Sequence, residues 1–574
     1  MNYRFKVLII AALYSVYGLA QERTTDTIDD QVVNVIKPYT PTIADAFKIK
    51  QEPKIGEEST STRKVIKYNI FSIPVASTFT PAKGKAASVD KAKAVKLFDN
   101  YASFGVGTYT TVLGEVYLNH QLSNTETVGG YFSHHSSQGG IEDLLVDDDF
   151  QKTSLNANYS QKLRDFSWKI DAGFNIQSFN WYGIPQEFFT QSQANAVEPG
   201  HSFNSFYVGG ILDFDDSIIN QGSAKFRRFG DNQNSGENRF LADLNFDIPI
   251  EDQYINTEVS IDYINGSFDR NYIDNTELKY ANTAIGLAPS YQLKEDDLTV
   301  DLGVRLVYLN NTENEANKFF IYPNIEASYR LVSEILIAYG GVKGELIQNS
   351  YYQFANDNPF VSPTLFITPT DQRYKGFLGL KGKLSNNVSY NIRGNYWAEE
   401  SKALFKANAA QTFAEEDYQY GNSFDVVYDT VKTFSVAGEL NIDVNRNFTL
   451  GIKGEYFNYS VDNEHEAWNL PDITGSIFLD YQISEKWYAG GSVFYVGERK
   501  DEMRLDGTFT PMVPEIITLD SFLDANAHLG YKINPQLSVF AKVNNIANQG
   551  YQRWLNFPVQ SIQFLAGATY QFDF

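Results

Sequence analysis

The strongest constraint on this chain is its final stretch, Ser561–Phe574, in which side-chain character alternates from one residue to the next. Side chains on a strand point to opposite sides in turn, so one face of this stretch would be apolar and the other mainly polar. The apolar face would carry Ile562, Phe564, Ala566, Ala568, Tyr570, Phe572 and Phe574. Apolar side chains toward lipid, with aromatic rings at the interface, are typical of the last strand of a transmembrane β-barrel.

The distribution of apolar residues elsewhere agrees with a barrel. No uninterrupted apolar run of the length that a transmembrane helix needs occurs after the N-terminus, so the sequence excludes helical membrane spans. Lipid cannot satisfy exposed backbone hydrogen-bonding groups, so only a closed barrel could cross the bilayer. The aromatic content is also high, with 37 Tyr and 42 Phe among 574 residues.

Cysteine content and charge exclude several classes of function. The chain has no cysteine, which excludes disulfides, thiolate metal sites, cysteine catalysis and lipoprotein anchoring. Its formal net charge of −23 excludes nucleic acid as a partner, because phosphate neutralisation needs a basic face. The sequence contains no Gly-x-Ser-x-Gly elbow and no phosphate-binding glycine loop, and carboxylate pairs such as Glu258 and Asp262 need no chemistry to explain them. We therefore expect neither an enzyme nor a bound cofactor or metal.

The first twenty residues are predicted to be a secretory signal peptide. Arg4 and Lys6 precede the apolar run Val7–Tyr17, and small residues near Ala20 come directly before the expected cleavage site. We expect Sec-dependent export to the outer membrane of a Gram-negative bacterium and a mature protein that begins at Gln21.

Residues 21–99 differ from the rest of the chain. Alternation is weak there, and five prolines and a lysine-rich stretch at 83–96 indicate an extended or irregular segment. One short β-forming stretch lies near the mature N-terminus and comprises Val32, Val33, Asn34, Val35 and Ile36. Such a strand can pair with the sheet edge of another protein, so it is a candidate coupling segment. The alternative is that it packs inside the lumen or against the periplasmic turns.

From residue 100 onward, alternating segments are separated in turn by tight polar turns and by longer connections. The tight turns are rich in Asn, Asp, Ser and Glu and lie at 123–126, 164–165, 251–253, 294–297, 385–387, 445–447, 484–486 and 534–536. The longer connections lie near 138–150, 180–200, 350–370, 400–432 and 498–518. Short periplasmic turns and long extracellular loops are typical of outer-membrane barrels. Residues 100–574 are therefore predicted to form an antiparallel transmembrane barrel of about 22 strands, within a range of roughly 20 to 24.

The segment before the closing strand carries an asparagine-rich motif. Val543–Tyr551 leads through a loop to the strand that ends at Phe574, and together they resemble the C-terminal signature of TonB-dependent receptors. The residues that carry this resemblance, predicted to close the barrel, are Asn544, Asn545, Asn548, Tyr551, Tyr570, Phe572 and Phe574. The family's barrel also has a strand count near 22.

The resemblance implies a function and partners. Family members import scarce ligands such as metal chelates, cobalamin or oligosaccharides, using energy transmitted by an inner-membrane complex. On this reading TonB would bind Val32–Ile36, outer-membrane lipid would surround the barrel, and the barrel-assembly machinery would act through the C-terminal strand. A complete TonB-dependent receptor has a plug of well over a hundred residues before its barrel, however, and residues 21–99 do not read as a folded plug. We expect a reduced lumenal segment in its place, or a barrel that acts without gated import.

Two of the long connections are rich in aromatic residues. Aromatic rings bind sugars, chelates and peptides by stacking, and they also anchor protein interfaces. The candidate ligand or partner contacts are Trp181, Tyr182, Phe188, Phe189, Tyr351, Tyr352, Phe354 and Phe360. The alternative is that these rings form an interface girdle or pack on one another.

His134 and His135 precede an acidic stretch that extends to Asp149, a composition that could hold a divalent cation. Adjacent histidines on a strand point to opposite faces, which weakens such a site. We interpret the stretch as a solvated acidic loop.

Two functions fit these observations. In the first, the protein is a TonB-dependent receptor-like barrel with a shortened plug that binds or imports a scarce nutrient. In the second, it is a plugless accessory or structural subunit of an outer-membrane complex for protein secretion or barrel assembly. The short N-terminal region favours the second hypothesis, and the C-terminal motif fits both.

Overall fold

The computed structural model describes residues 97–574 except positions 216, 252, 314 and 508–512. The predicted signal peptide, the candidate coupling segment Val32–Ile36 and nearly all of residues 21–99 lie outside the described residues.

The alternating segments form β-strands, and the described residues also include two short helices. The strands are β1 (Asn100–Gly107), β2 (Val112–Gln121), β3 (Glu126–Ser137), β4 (Phe150–Lys162), β5 (Phe166–Asn180), β6 (Gly200–Phe214), β7 (Ile219–Asp231), β8 (Gly236–Ile250), β9 (Gln253–Phe268), β10 (Leu278–Glu295), β11 (Leu298–Asn311), β12 (Ala316–Val332), β13 (Leu336–Ile347), β14 (Thr370–Ser385), β15 (Val388–Ala407), β16 (Ala410–Gln411), β17 (Phe424–Asn445), β18 (Phe448–Val461), β19 (Ile473–Gln482), β20 (Trp487–Val496), β21 (Arg499–Met503), β22 (Leu505–Asp506), β23 (Glu515–Leu519), β24 (Phe522–Lys532), β25 (Leu537–Asn544), β26 (Gln552–Trp554), β27 (Phe557–Pro558) and β28 (Gln563–Phe572). The helices are α1 (Gln191–Ala194) and α2 (Tyr351–Asp357).

Twenty-two of the described strands form one closed antiparallel sheet, in which each strand pairs with the next one along the chain. The other six strands form small pairs in the long connections: β16 with β22, β21 with β23, and β26 with β27. The predicted all-β barrel and its strand number are confirmed. No helix among the described residues is long and apolar enough to span a membrane.

The closing strand pairs with both the preceding barrel strand and the first one. β28 pairs with β25 on one side and with β1 on the other, where Phe572 lies opposite Asn100. The Asn100 side chain donates to the Phe572 carbonyl at 3.1 Å. Closure leaves no exposed sheet edge, as a lipid environment requires. Phe564 and Tyr570 are exposed on the outer surface while Leu565 is buried, which matches the alternation in the sequence.

The connections at the two ends of the barrel differ in length. All eight predicted tight turns lie at one end, together with the C-terminus, and two further turns at 215–218 and 333–335 complete that set. The predicted connection 400–432 is shorter in the structure, spanning 408–423, because β15 and β17 extend beyond the other strands. Two long connections that the sequence analysis did not identify, at 269–277 and 462–472, lie at the same end as the predicted ones. The connection 545–562, which contains the predicted loop before the closing strand, also lies there.

The two faces of the barrel wall differ in chemistry. On β9, Ile261 and Tyr263 are exposed on the outer surface, whereas Asp262 lies between them on the inner face. Asp262 forms an ion pair with Arg239 at 2.6 Å, and Glu258 forms one with Arg305 at 3.1 Å. These two inward carboxylates have basic partners on nearby strands, and the exposed outer side chains of β9 are apolar.

Candidate functional site

The largest buried apolar cluster lies at the long-loop end of the barrel. We call it the cap, and it consists of Phe179, Trp181, Phe203, Phe229, Ile264, Phe268, Tyr280, Tyr351, Phe354, Ala355, Phe360, Val361, Leu365, Ile367, Phe405, Tyr418, Phe424, Val426, Leu519, Trp554, Leu555 and Phe557. Its members come from the ends of wall strands and from the connections β5–β6, β13–β14, β15–β17, β20–β24 and β25–β28. Loops from well-separated sectors of the ring of strands meet in it, so the cap lies over the mouth of the barrel.

Helix α2 has one face inside the cap and one face outside it. Ser350 begins the helix, and its hydroxyl accepts the backbone N–H of Gln353 at 3.1 Å. Tyr351 and Phe354 are buried in the cluster, and the Tyr351 ring meets the Phe268 ring edge-on at 4.9 Å. On the other face, the Tyr352 ring lies 3.7 Å from the Arg227 guanidinium. The helix therefore joins the β13–β14 connection to strands on a distant part of the wall.

Ring stacking connects the other loops to one another. The Trp181 ring lies parallel to the His201 ring at 4.0 Å, and the Phe360 ring lies on the Phe557 ring at 3.9 Å. The second contact joins the β13–β14 connection to the β25–β28 connection. Aromatic pairs of this geometry stabilise a contact by roughly 0.5–1.5 kcal/mol beyond area burial.

Polar groups attach α2 to the wall, and we call Arg227, Asp231, Glu237 and Tyr280 the latch. The fully buried Glu237 carboxylate accepts the backbone N–H of Tyr351 at 2.6 Å and the Tyr280 hydroxyl at 2.8 Å. Arg227 forms an ion pair with Glu237 at 3.3 Å. The Tyr351 hydroxyl donates to Asp231 at 2.7 Å. The latch therefore holds both ends of one residue, the backbone and the side-chain hydroxyl of Tyr351.

A second buried carboxylate, which is not part of the latch, connects three segments at the long-loop end. Asp501, in β21, accepts the backbone N–H of Ala407 at 2.9 Å and the side-chain amide of Asn469 at 2.7 Å. Ala407 is the last residue of β15, and Asn469 lies in the β18–β19 connection. Burial raises the pKa of Asp501 to about 6.

The structure brings most of the predicted aromatic contacts together. Trp181 and Tyr351 are each 1% exposed, and Phe354 and Phe360 are also buried in the cap. Tyr182 and Tyr352 pack against the cap from its edge, and the Tyr182 hydroxyl donates to the Pro558 carbonyl at 2.9 Å. Phe188 and Phe189 belong to a neighbouring cluster around Ile184, Ala194, Val197 and Ala410. These rings chiefly contact one another.

The C-terminal motif shapes the connection between β25 and β28. Asn545 has a φ of 47°, and its side-chain amide donates to the carbonyls of Gln549 and Gln560 at 3.0 Å each. Asn548, with a φ of 48°, accepts the backbone N–H of Ile562. Asparagine tolerates this left-handed region better than most residues. Tyr551 stacks on Phe522 at 3.8 Å, and the Asn544 side chain bonds Gln563 at 3.2 Å. The motif therefore directs the chain from β25 into β28.

The histidine pair has two different environments. His134 bonds the Thr153 hydroxyl at 2.9 Å, whereas the His135 ring meets the Phe150 ring edge-on at 5.1 Å. Thr153 and Phe150 lie on opposite faces of β4, so the two histidines point apart. Within the described residues, no group of three or more His, Asp or Glu side chains is arranged to hold a metal ion.

Sequence reasoning missed the latch, Asp501, and the β26–β27 rings Trp554 and Phe557. Glu237 was identifiable as an inward residue of an alternating segment, but Glu258 shows the same pattern and is paired with Arg305 of the barrel wall instead. The aromatic content of 551–557 was a signal that could have drawn attention to that loop.

Comparison with known proteins identifies the fold. No protein-family model matches this sequence, and no curated protein is similar to it in sequence. Among solved structures, the FrpB iron transporter of Neisseria meningitidis is similar with a TM-score of 0.62 at 12% identity, covering 83% of this chain and 82% of FrpB. The ferric-catecholate import receptor Fiu of E. coli K12 is similar with a TM-score of 0.60 at 11% identity, covering 83% of this chain and 82% of Fiu. This chain has the fold of the TonB-dependent receptors. The pyoverdine outer-membrane receptor FpvA of Pseudomonas aeruginosa PAO1 is also similar, with a TM-score of 0.59 at 11% identity, covering 84% of this chain and 80% of FpvA.

Proposed function

We propose that this protein is an outer-membrane receptor that admits a scarce nutrient through a mouth kept closed by the cap. The supporting observation is that loops from separate sectors of the ring meet over the lumen and are joined by the latch and by the Phe360–Phe557 stack. A ligand entering from outside would have to separate these contacts. The aromatic side chains that the sequence analysis identified as candidate ligand contacts would then be free to bind the ligand in the opened state.

The ligand class to test first is an iron chelate. Fiu is a ferric-catecholate import receptor and FrpB is an iron transporter, and both have this fold. In the opened state, when the latch has separated, Tyr352 would offer stacking and Arg227, released from Glu237, would offer charge to a planar anionic chelate.

The proposed energy coupling is through Val32–Ile36, with TonB as the partner. Deleting these five residues should abolish energised uptake of radiolabelled ferric chelate by whole cells, while purified protein still binds the chelate. Deleting residues 56–60 in the same region is the control and should leave uptake unchanged. Unchanged uptake in the Val32–Ile36 deletion would contradict TonB-coupled import. We also propose that β28 is the strand recognised by the barrel-assembly machinery.

A second candidate function is favoured by the burial of the aromatic rings. Because Trp181 and Tyr351 are almost inaccessible, the long loops also suit a structural role in an accessory subunit of a secretion or barrel-assembly complex. Gentle detergent extraction should then recover stoichiometric partner proteins. Recovery of a solitary monomer would exclude this candidate.

A further inference from the structure

Two loops at the long-loop end present apolar side chains to solvent, in contrast to the cap. We call the connections 269–277 and 408–423 together the shoulder. Ile273 and Phe413, one on each loop, are both 81% exposed. Exposed apolar groups at loop tips are common singly, but here they lie on two loops that are bonded to each other.

The two loops are joined by several polar contacts. Arg270 bonds Glu416 at 2.5 Å and lies 3.4 Å from Glu415. The Tyr272 hydroxyl donates to the Ala409 carbonyl at 2.9 Å, and the Gln419 side chain donates to the Tyr272 carbonyl at 2.6 Å. The shoulder is therefore one surface composed of two loops.

Hydrogen bonds fix the backbone next to each of the two exposed apolar side chains. The Asn271 side-chain oxygen accepts the backbone N–H of Ile273 at 2.8 Å and that of Asp274 at 2.7 Å. On the other loop, the Thr412 N–H donates to the Asp506 carbonyl at 3.0 Å. A side chain on a backbone that is already held loses less conformational freedom on binding than one on an unfixed loop, which favours its use as an anchor.

The charge around these anchors is strongly one-sided. The shoulder contains six acidic residues, Asp269, Asp274, Glu277, Glu415, Glu416 and Asp417, and a single basic residue, Arg270. Arg270 is 12% exposed and already paired with Glu415 and Glu416, and Lys279 at the start of β10 pairs with Glu277. Hydrogen bonding from Thr276 lowers the pKa of Asp274, so this carboxylate stays ionised in mildly acidic media. Acidic side chains on the same two loops as exposed apolar side chains attract cationic surfaces and repel anionic ones.

We propose that the shoulder is a docking surface for a cationic amphipathic protein segment. Its apolar residues would cover Ile273 and Phe413, and its lysines or arginines would pair with the surrounding carboxylates. A second copy of this chain is disfavoured, because two acidic shoulders would repel each other.

The test uses the full-length protein in phosphatidylcholine nanodiscs and a fluorescent amphipathic helix made of leucine and lysine. A matched peptide with serine in place of leucine keeps the charge and removes the apolar face. Fluorescence anisotropy, corrected with empty nanodiscs, should show binding of the leucine–lysine peptide that weakens as salt is raised. The serine–lysine peptide should bind at least tenfold more weakly.

Variants separate the two contributions. Phe413→Ser combined with Ile273→Ser should weaken binding of the leucine–lysine peptide at least tenfold. Glu415→Gln combined with Asp274→Asn should weaken it at least fivefold and flatten the salt dependence. Glu295→Gln with Glu485→Gln removes two exposed charges at the short-turn end of the barrel, outside the shoulder, and should leave the affinity unchanged.

Three results would overturn the proposal. The first is unchanged binding of the leucine–lysine peptide to the double-serine variant. The second is equal binding of the two peptides to the wild-type protein. Either result would mean that charge alone, without apolar contact, accounts for the binding. The third is a dimer of the wild-type protein in mass photometry that the double-serine variant loses, which would assign the surface to self-association. None of these measurements depends on uptake, so the outcome is independent of the importer proposal.

Discussion

Replacing Glu237 with alanine should open the cap without unfolding the barrel. The carboxylate is fully buried and accepts from the Tyr351 N–H, the Tyr280 hydroxyl and the Arg227 guanidinium. Removing one partner of a buried ion pair costs about 3–5 kcal/mol, because the other charge is left unpaired. Arg227 keeps its contact with the Tyr352 ring and is partly accessible, so the lower figure applies. If the closed cap is destabilised by about 3 kcal/mol relative to the open cap, the population of the open cap rises by about a hundredfold.

Hydrogen exchange with mass spectrometry in one detergent measures this opening directly. The backbone amides of Phe354 and Asn358 donate to Ser350 and Phe354 within the α2 region, so their protection reports on the closed cap. In Glu237→Ala their protection should fall about a hundredfold, while amides in the barrel strands change little. Glu258→Ala is the control, because it also removes a lumenal carboxylate paired with an arginine. Unchanged protection at α2, or an equal loss in every strand, would refute the assignment of the latch.

Two further predictions concern Asp501 and the C-terminal motif. Burial raises the pKa of Asp501 to about 6, against about 4 in the open state. Its contribution to closed-cap stability is therefore fully present below about pH 4 and is lost as the pH rises through 6. Amide hydrogen exchange at α2, corrected for its intrinsic rate, should increase between pH 5 and about pH 7, and Asp501→Asn should reduce that pH dependence. Part of it should remain, because burial also raises the pKa of Asp357, in α2 itself, to about 6. Asn545→Ala loses the bonds to Gln549 and Gln560 and strains a φ of 47°, at a cost of about 2 kcal/mol, so the heat-modifiable gel shift should occur at a lower temperature. Asn545→Gly relieves the backbone strain and should restore part of the loss; a gel shift unchanged in both variants would contradict the role of the motif.

The barrel was predictable because its determinants are local and repeated. Alternation and turn composition act over a few residues, and a transmembrane wall imposes them on every strand, so the strand number followed from counting segments. The two missed turns were within reach of the same method. Asp215 and Ser217 in one turn, and Ser333 and Glu334 in the other, are residue types that also mark the identified turns. Each missed turn contains an exposed isoleucine, Ile218 or Ile335, but an exposed isoleucine, Ile483, also lies directly before an identified turn.

The cap was less predictable, because its contacts join residues that are far apart in sequence. The aromatic composition of 351–360 showed that rings were present, but it could not show that Tyr351 would meet Phe229 or that Phe360 would meet Phe557. Those contacts depend on how loops cross the closed ring, which is fixed only after all strands have paired. The same reason explains why Glu237 could not be distinguished from Glu258.

Phe360 and Phe413 show why this distinction matters for function. Both are phenylalanines in long loops at the same end of the barrel, yet Phe360 is 9% exposed and Phe413 is 81% exposed. A ligand that uses the rings of the cap must first break their mutual contacts, so its binding is coupled to opening of the mouth. A partner that uses Ile273 and Phe413 finds these anchors already exposed and has no contact of the cap to break, although Tyr418 of the same loop belongs to the cap. Binding at the two places therefore differs in its effect on exchange at α2, which gives each surface a separate signature in the intact protein.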